Sequence, residues 1–284
     1  MRKSFLKIRT KNHTAQPLKN LIEVNGRVVF RLGSITPTEE IFPRGVALNK
    51  PIIEINTAEA CHNSGDKILM KTLFTKGKVK SAAWFTYRDG FFTSPQWVDS
   101  CDYEDLVDMI DRNILEFPLI IKHKNSCKGN GIYYIENKDE FLQFIVEHQN
   151  SLHNYVIEKY YNYSKEYRLH VTKDGCFYTC RKMLKEDAEE RWHRHDMNSV
   201  WIMEENPLFE KPSNWDLIVD ECVEALNAVG LDIGACDIKV QSEKGRDRGG
   251  NPEFIVMEVN SAASFGEVTV IKYEEQLRKM LDGN

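Results

Sequence analysis

The chain has 284 residues, 42% of them hydrophobic and 29% charged, with a formal net charge of −5. That length can bury a substantial core in one large domain or two modest ones, and the composition excludes a disordered chain. The negative balance excludes recruitment of nucleic acid by global charge, so any recognition of phosphate must rest on a local patch.

The chain opens on MRKSFLKIRTKNHT, which lacks the apolar core of a signal peptide. NGRVVFRLGS, residues 25–34, predicts a tight turn feeding a β-branched strand, and KPIIEIN, residues 50–56, predicts a second. Helical spacing begins near Asp66, with Ile68, Leu69, Leu73 and Phe74 on one side. Residues 78–87 read as extended, and residues 102–112 as a helix through Leu106, Met109 and Ile110. FPLIIKHKNSCKGNGIYYI then gives a strand over 117–121, a loop over 124–131 and a strand over 132–135. Residues 138–147 form an amphipathic helix with Phe141, Phe144 and Ile145 on its apolar side, and YVIEKYY, residues 155–161, is a strand. Residues 166–184 read as a hairpin turning at Lys173-Asp174-Gly175. A helix over 215–229 stops at Gly230, a C-cap. GACDIKVQ and EFIVMEVN are strands joined by the charged, glycine-rich SEKGRDRGGNP. Strands and helices interleave without a βαβ rhythm, and hairpins gather toward the end. The expected class is α+β with mainly antiparallel sheets.

The seven cysteines are odd in number, scattered, and form no CxxC, so reduced thiols and a cytoplasmic setting are expected. No apolar run is long enough to span a bilayer.

Several residues could carry chemistry. Glu258 and Asn260, two apart on one strand, share a face, and Asp237 sits across from them if the two strands are antiparallel neighbours. Two carboxylates and an amide oxygen form a hard-oxygen set that suits Mg²⁺, while a polar sheet rim is the plainer reading. Lys122 ends an apolar strand and Lys67 opens a helix; each alone is an ordinary solvated lysine, but together they could balance a polyphosphate from two sides. In the loop 125–131, Ser126 and Lys128 offer donors, and Gly129 and Gly131 allow close backbone approach to phosphate, although a surface hairpin turn fits equally. The loop is neither a Walker A nor a Rossmann fingerprint. Arg168, on an otherwise apolar strand, seeks a phosphate or carboxylate, or else a structural partner such as Glu158 or Glu166. ERWHRHDMNS, residues 190–199, carries an HxH that lacks further metal ligands and reads as substrate-facing or solvated.

Taken in order, DK at a helix start, PLIIK with its glycine loop, VIEKY, YRLHV, CDIKV and MEVN resemble the ATP-grasp superfamily. The likeness runs from about residue 60 to the end, toward the carboxylate–amine ligases related to ribosomal-protein glutamate ligase and D-alanine–D-alanine ligase. The resemblance implies a short N-terminal region over 1–65, a central ATP-grasp subdomain over 66–159 and a C-terminal one over 160–284. It makes Lys67 and Lys122 nucleotide lysines and residues 125–131 a lid over the phosphates. Glu158, Lys159 and Tyr160 become the hinge that reads adenine, Glu158 through its side chain. Arg168 would face the transferred phosphate, with Lys182 as a further phosphate or substrate contact. Asp237, Glu258 and Asn260 would hold Mg²⁺, as two ions, with Mn²⁺ as a substitute. The implied reaction joins a carboxylate to an amine at the expense of ATP, and the enzyme could be a homodimer. A small-molecule kinase and a nucleotide-binding regulatory module are the alternatives on the same fold. Ala235 stands where D-alanine ligases place an arginine, and residues 191–198 match no subfamily pattern, so the acid and the amine stay open.

Overall fold

The computed structural model describes residues 5–10, 12–19, 21–42, 52–126, 130–195, 197–242 and 251–282. Three sheets are built in chain order. The first is parallel and three-stranded: β1 (Lys7–Thr10), β2 (Arg27–Leu32) and β3 (Ile52–Ile55), in that order. Its parallel pairing departs from the antiparallel expectation. Each connection is long enough to cross over, and the second carries the short helix α1 (Thr38–Ile41).

Two helices follow. Thr57 caps α2 (Ala58–Gly65) through a bond from the Ala60 amide. Asp66 caps α3 (Lys67–Lys76) by accepting from the amides of Ile68 and Leu69. The sequence pattern shows only the second, from about Asp66; α2 precedes it, and the extended backbone of Asp66 separates the two. The extended stretch predicted from residue 78 becomes a strand only at Trp84, and Lys78 itself takes a left-handed φ of 57°.

The middle sheet contains β4 (Trp84–Arg88), β5 (Phe91–Thr93), β6 (Leu119–His123), β7 (Ile132–Ile135) and β8 (Tyr155–Lys159), with α4 (Tyr103–Asp111) and α5 (Lys138–Glu147) between strands. Its order is β5-β4-β8-β6-β7, and every pair is antiparallel. Alternation sorts its side chains. Phe85, Leu119, Ile121, Tyr155 and Ile157 join Leu106, Ile110, Phe141 and Phe144 of the helices in one core. Trp84, Ile120, Lys122, Val156 and Glu158 belong to the opposite face.

The third sheet contains β9 (Lys165–Thr172), β10 (Gly175–Leu184), β11 (Ser199–Met203), β12 (Ile233–Val240) and β13 (Phe254–Asn260). It is antiparallel in the order β11-β10-β9-β12-β13. On one face Tyr167, Leu169, Val171, Cys236, Ile238 and Val256 pack against α6 (Trp215–Val229) and against Met70 and Phe74 of α3. Helix α3, which the sequence division groups with the central segment, thus seats its apolar side in the C-terminal core. Gly230 ends α6 at φ 80°, as its position predicts. On the other face, Ile233 and Ala235 are covered by Val28, Phe30 and Leu32 of the first sheet and by Tyr273 and Leu277 of α7 (Glu267–Asp282). The rest of that face, beyond Ala235, belongs to the site. β11 and α7 carry no clear signal in the sequence; buried Thr269 and Gln276 interrupt the apolar stripe of α7.

Asn56 joins the first sheet to β12. Its side chain is fully buried, donates to the carbonyls of Arg31 and Ile233, and accepts from the amides of Asp232 and Ile233. Its own φ is 61°. Asn56→Ala strands those four backbone groups and leaves alanine in a left-handed conformation, so a loss of about 3–5 kcal/mol is expected in urea unfolding. A loss below about 1 kcal/mol would show that water replaces the amide.

The described cysteines are unpaired. No helix among the described residues is long and apolar enough to cross a membrane.

Candidate active site

The open faces of the middle and third sheets supply the predicted residues. On the third sheet, β12 and β13 are antiparallel neighbours with Asp237 opposite Glu258. The register shifts between Asp237 and Ile238, so that Ile238 pairs with Val256 and Met257 is the extra residue of a bulge. Without that residue the two-residue period would turn Glu258 toward the core with Val256. With it, Val259 enters the core and Glu258 and Asn260 share the face of Asp237. Asn260 Nδ2 donates to Glu258 Oε1 at 2.9 Å and to Asp237 Oδ2 at 3.2 Å. Its amide oxygen accepts no hydrogen bond from the described residues.

Arg168 lies beside Asp237 in the β9–β12 register and forks onto it, Nε to Oδ1 at 2.7 Å and Nη2 to Oδ2 at 2.8 Å. The guanidinium expected to face a transferred phosphate is therefore paired to one of the expected metal ligands. Asp237 holds its proton up to about 6, because burial outweighs the Arg168 fork and the Glu258 charge adds to it. Glu258 is shifted down: burial opposes ionisation, but Lys67 and the Asn260 amide outweigh it. Among the described residues no three His, Cys, Asp and Glu side chains cluster as a metal cage. A buried carboxylate, Asp237, beside a part-buried one, Glu258, with one amide oxygen still makes a hard-oxygen set. That chemistry fits a divalent hard cation with ligand oxygens completing its shell.

On the middle sheet, Lys122 Nζ donates to Glu158 Oε2 at 2.8 Å. Lys71 Nζ of α3 lies 3.3 Å from Glu158 Oε1, without a well-directed hydrogen bond. Glu158 and Lys71 are 6% and 1% exposed, so this triad spans the two halves of the protein in low dielectric. Burial pushes the Glu158 carboxyl up, but the two lysines overcome it and hold the group at about 2. Burial likewise pulls Lys122 down, and Glu158 more than restores it. Lys71 stays shifted down, since its burial exceeds what Glu158 returns. Glu158 was expected to read adenine through its side chain, yet both its oxygens face lysines.

Lys67 occupies the first turn of α3. Its amide donates to the Lys124 carbonyl at 3.0 Å and its ammonium to the Ser126 carbonyl, which ties the helix to the glycine loop. Ser126 Oγ donates to the His123 carbonyl at 2.8 Å. Gly131 has φ 67° and accepts from the His123 amide, closing the base of the loop. Lys128 and Gly129 lie outside the described residues. Lys159 alternates away from the cleft and pairs with Glu116, while Tyr160 rests edge-on against Tyr134. Lys182, 5.3 Å from the Trp201 ring centroid, donates to the Arg194 carbonyl at 2.6 Å. The structure thus brings Lys67, Lys122 and Glu158 to one side of a cleft and Arg168, Lys182, Asp237, Glu258 and Asn260 to the other.

Two further cations belong to this cleft and carry no motif. Lys71 follows Lys67 by four residues, the spacing that puts both on one helical face. Lys239 follows Asp237 by two on the same strand face, with burial holding it down at about 8 against the pull of Glu166. Both spacings are visible in the sequence.

No family model matches this sequence, and no curated protein matches it. Solved structures do share its fold. VanG D-Ala:D-Ser ligase from Enterococcus faecalis superposes with a TM-score of 0.59 at 16% identity, over 93% of this chain and 74% of that one. D-alanine–D-alanine ligase from Bacillus anthracis complexed with ATP gives 0.57 at 14%, over 95% and 79%. The ATP-grasp ligase PsnB complexed with minimal precursor gives 0.56 at 15%, over 89% and 78%. The chain has the ATP-grasp fold, in its α+β form.

Proposed function

We propose that the protein is an ATP-dependent carboxylate–amine ligase that releases ADP and phosphate. The observation that carries this reading is the cleft itself, where Lys67 and Lys122 lie on one side and the Asp237–Glu258–Asn260 oxygen set on the other. A donor set of that kind, flanked by ammonium groups, suits a polyphosphate and its counter-ion. The three relatives in fold are named as ligases, which agrees with it.

In this mechanism Lys67, Lys122 and the amides of the glycine loop hold the phosphates in line with the attacking carboxylate. Mg²⁺, when held by Asp237, Glu258 and Asn260, supplies charge neutralisation on the phosphate oxygens. The carboxylate oxygen bonds to the γ-phosphorus, ADP leaves, and the resulting acyl phosphate is attacked at carbon by an amine, which expels phosphate. The loop 125–131 keeps water from the acyl phosphate. Arg168 is positioned by Asp237 to offer charge to the transferred group. The middle sheet and the third sheet act as the two jaws, with α3 seated on the third sheet and the first sheet bracing it. The reaction is assigned to the cytoplasm, where ATP and Mg²⁺ are supplied.

Mass spectrometry of products from a panel of amino acids and peptides, with ATP and Mg²⁺, tests the reading. An amide product with stoichiometric ADP is expected. A stable phosphorylated product would instead make the protein a kinase, and nucleotide binding without turnover a regulatory module.

A further inference from the structure

Between the hinge and the oxygen set lies a cluster that the proposed reaction leaves without a task. Arg194 is buried and stacks 4.6 Å from the Tyr163 ring centroid. Its Nη2 donates to the Ser164 carbonyl at 2.7 Å, but its Nε and Nη1 are buried with no hydrogen-bond partner. Lys239 Nζ lies 4.1 Å from the centroid of the same ring and 5.8 Å from that of Tyr160. Among the described residues it makes no hydrogen bond or ion pair, although Glu166, its neighbour in register on β9, attracts it. Two cations on one tyrosine ring, with three donor groups unspent, form a site of unsatisfied positive charge.

The position of Lys239 says what would satisfy it. It shares a strand face with Asp237, roughly 6.6 Å further along the strand. Its other neighbour is Tyr160, the last residue of the expected hinge. A ligand with its base at Tyr160 and its terminal phosphates at Asp237 and Glu258 must cross Lys239 where the sugar meets the first phosphate. Resting on the nucleotide reading above, we infer that Lys239, backed by Arg194 through Tyr163, is an anion subsite for the phosphate nearest the ribose. Lys239 supplies the direct contact. Arg194 fixes the ring and, by pinning the 164 carbonyl, the loop that carries it.

The test is calorimetric binding of ADP and of adenosine, in Mg²⁺, to the full chain and to Lys239→Met, Lys239→Arg and Arg194→Met. Loss of one charge-assisted contact predicts ADP binding about tenfold weaker in Lys239→Met. Adenosine binding should be unchanged, and Lys239→Arg should recover most of the ADP affinity. Arg194→Met should weaken ADP by a smaller factor with the same selectivity. Equal ADP affinity in Lys239→Met and the parent overturns the inference while leaving the nucleotide reading intact. Parallel losses of ADP and adenosine also overturn it, since they indicate a base pocket or a folding defect. A parent chain that binds neither probe removes the nucleotide reading and this subsite with it.

Discussion

Glu258→Gln is expected to abolish Mg²⁺-dependent ADP release, by on the order of 10²-fold or more, while the folded chain persists. The substitution keeps the shape of the side chain and removes one of the two charges that make the oxygen set. The Asn260 amide would still find an oxygen acceptor at this position, so the local hydrogen bonding survives. Thermal stability without metal should stay within about 1 kcal/mol of the parent. What disappears is the response: Mg²⁺ with ADP should raise the melting temperature of the parent and leave that of the variant unmoved. Asn260→Ala should behave alike in turnover but with a larger stability cost, because it deprives the Asp237 and Glu258 carboxylates of their shared donor. Unchanged ADP release in either variant would sink the assignment of the metal ligands.

The second large effect is on stability. Glu158→Ala should cost about 3–5 kcal/mol, since Lys71 and Lys122 lose the carboxylate between them and Lys71 is fully buried. The loss has a pH signature. In the fold the carboxyl titrates at about 2 against an ordinary 4.5. A depressed carboxylate adds stability that is complete above its unfolded value and is lost as pH falls through the folded one. The parent should therefore lose about 3 kcal/mol between pH 4.5 and 2 through this group, and the variant should show a shallower acid limb. Combining Glu158→Leu with Lys71→Met removes both charges of the deeper pair and should regain at least half of the loss. An acid limb as steep in Glu158→Ala as in the parent would mean that other carboxylates carry it.

The same triad bears on how the cleft works. α3 is anchored in the third-sheet core by Met70 and Phe74 and meets the middle sheet through polar contacts that include Lys71 to Glu158 and Trp84 Nε1 to Thr75 Oγ1 at 3.2 Å. Polar contacts of this kind can break and re-form with less repacking than an interdigitated core allows. Arg168 on Asp237, Lys122 on Glu158, Lys182 on the Arg194 carbonyl and Lys67 on the Ser126 carbonyl follow one pattern. Each of these four cations already has an internal partner. A polyphosphate would have to compete for them, and its dense charge is suited to do so.

The sequence by itself determined a good part of this protein. The helices at Lys138–Glu147 and Trp215–Val229 end where the pattern places them, because each has an apolar stripe at helical spacing and a chemical stop or start. GACDIKV and MEVN read as strands as well, whereas their antiparallel pairing is only a condition in the sequence and is met in the fold. Local chemistry sufficed for those elements. The tertiary structure alone decided which charges meet. The sequence offers Arg168 a phosphate or an ion pair with Glu158 or Glu166; its partner is Asp237, 69 residues away, chosen by the β9–β12 register. Glu158 was expected to be free for a base and is held by two lysines, one of them on a helix that packs with the opposite half. The bulge at Met257 that turns Glu258 out of the core leaves no mark in composition or spacing, because a two-residue period continues to look regular through it. Periodicity reports which face a residue prefers, whereas a site is made by strands and helices distant in sequence, and their register is set only when the cores close.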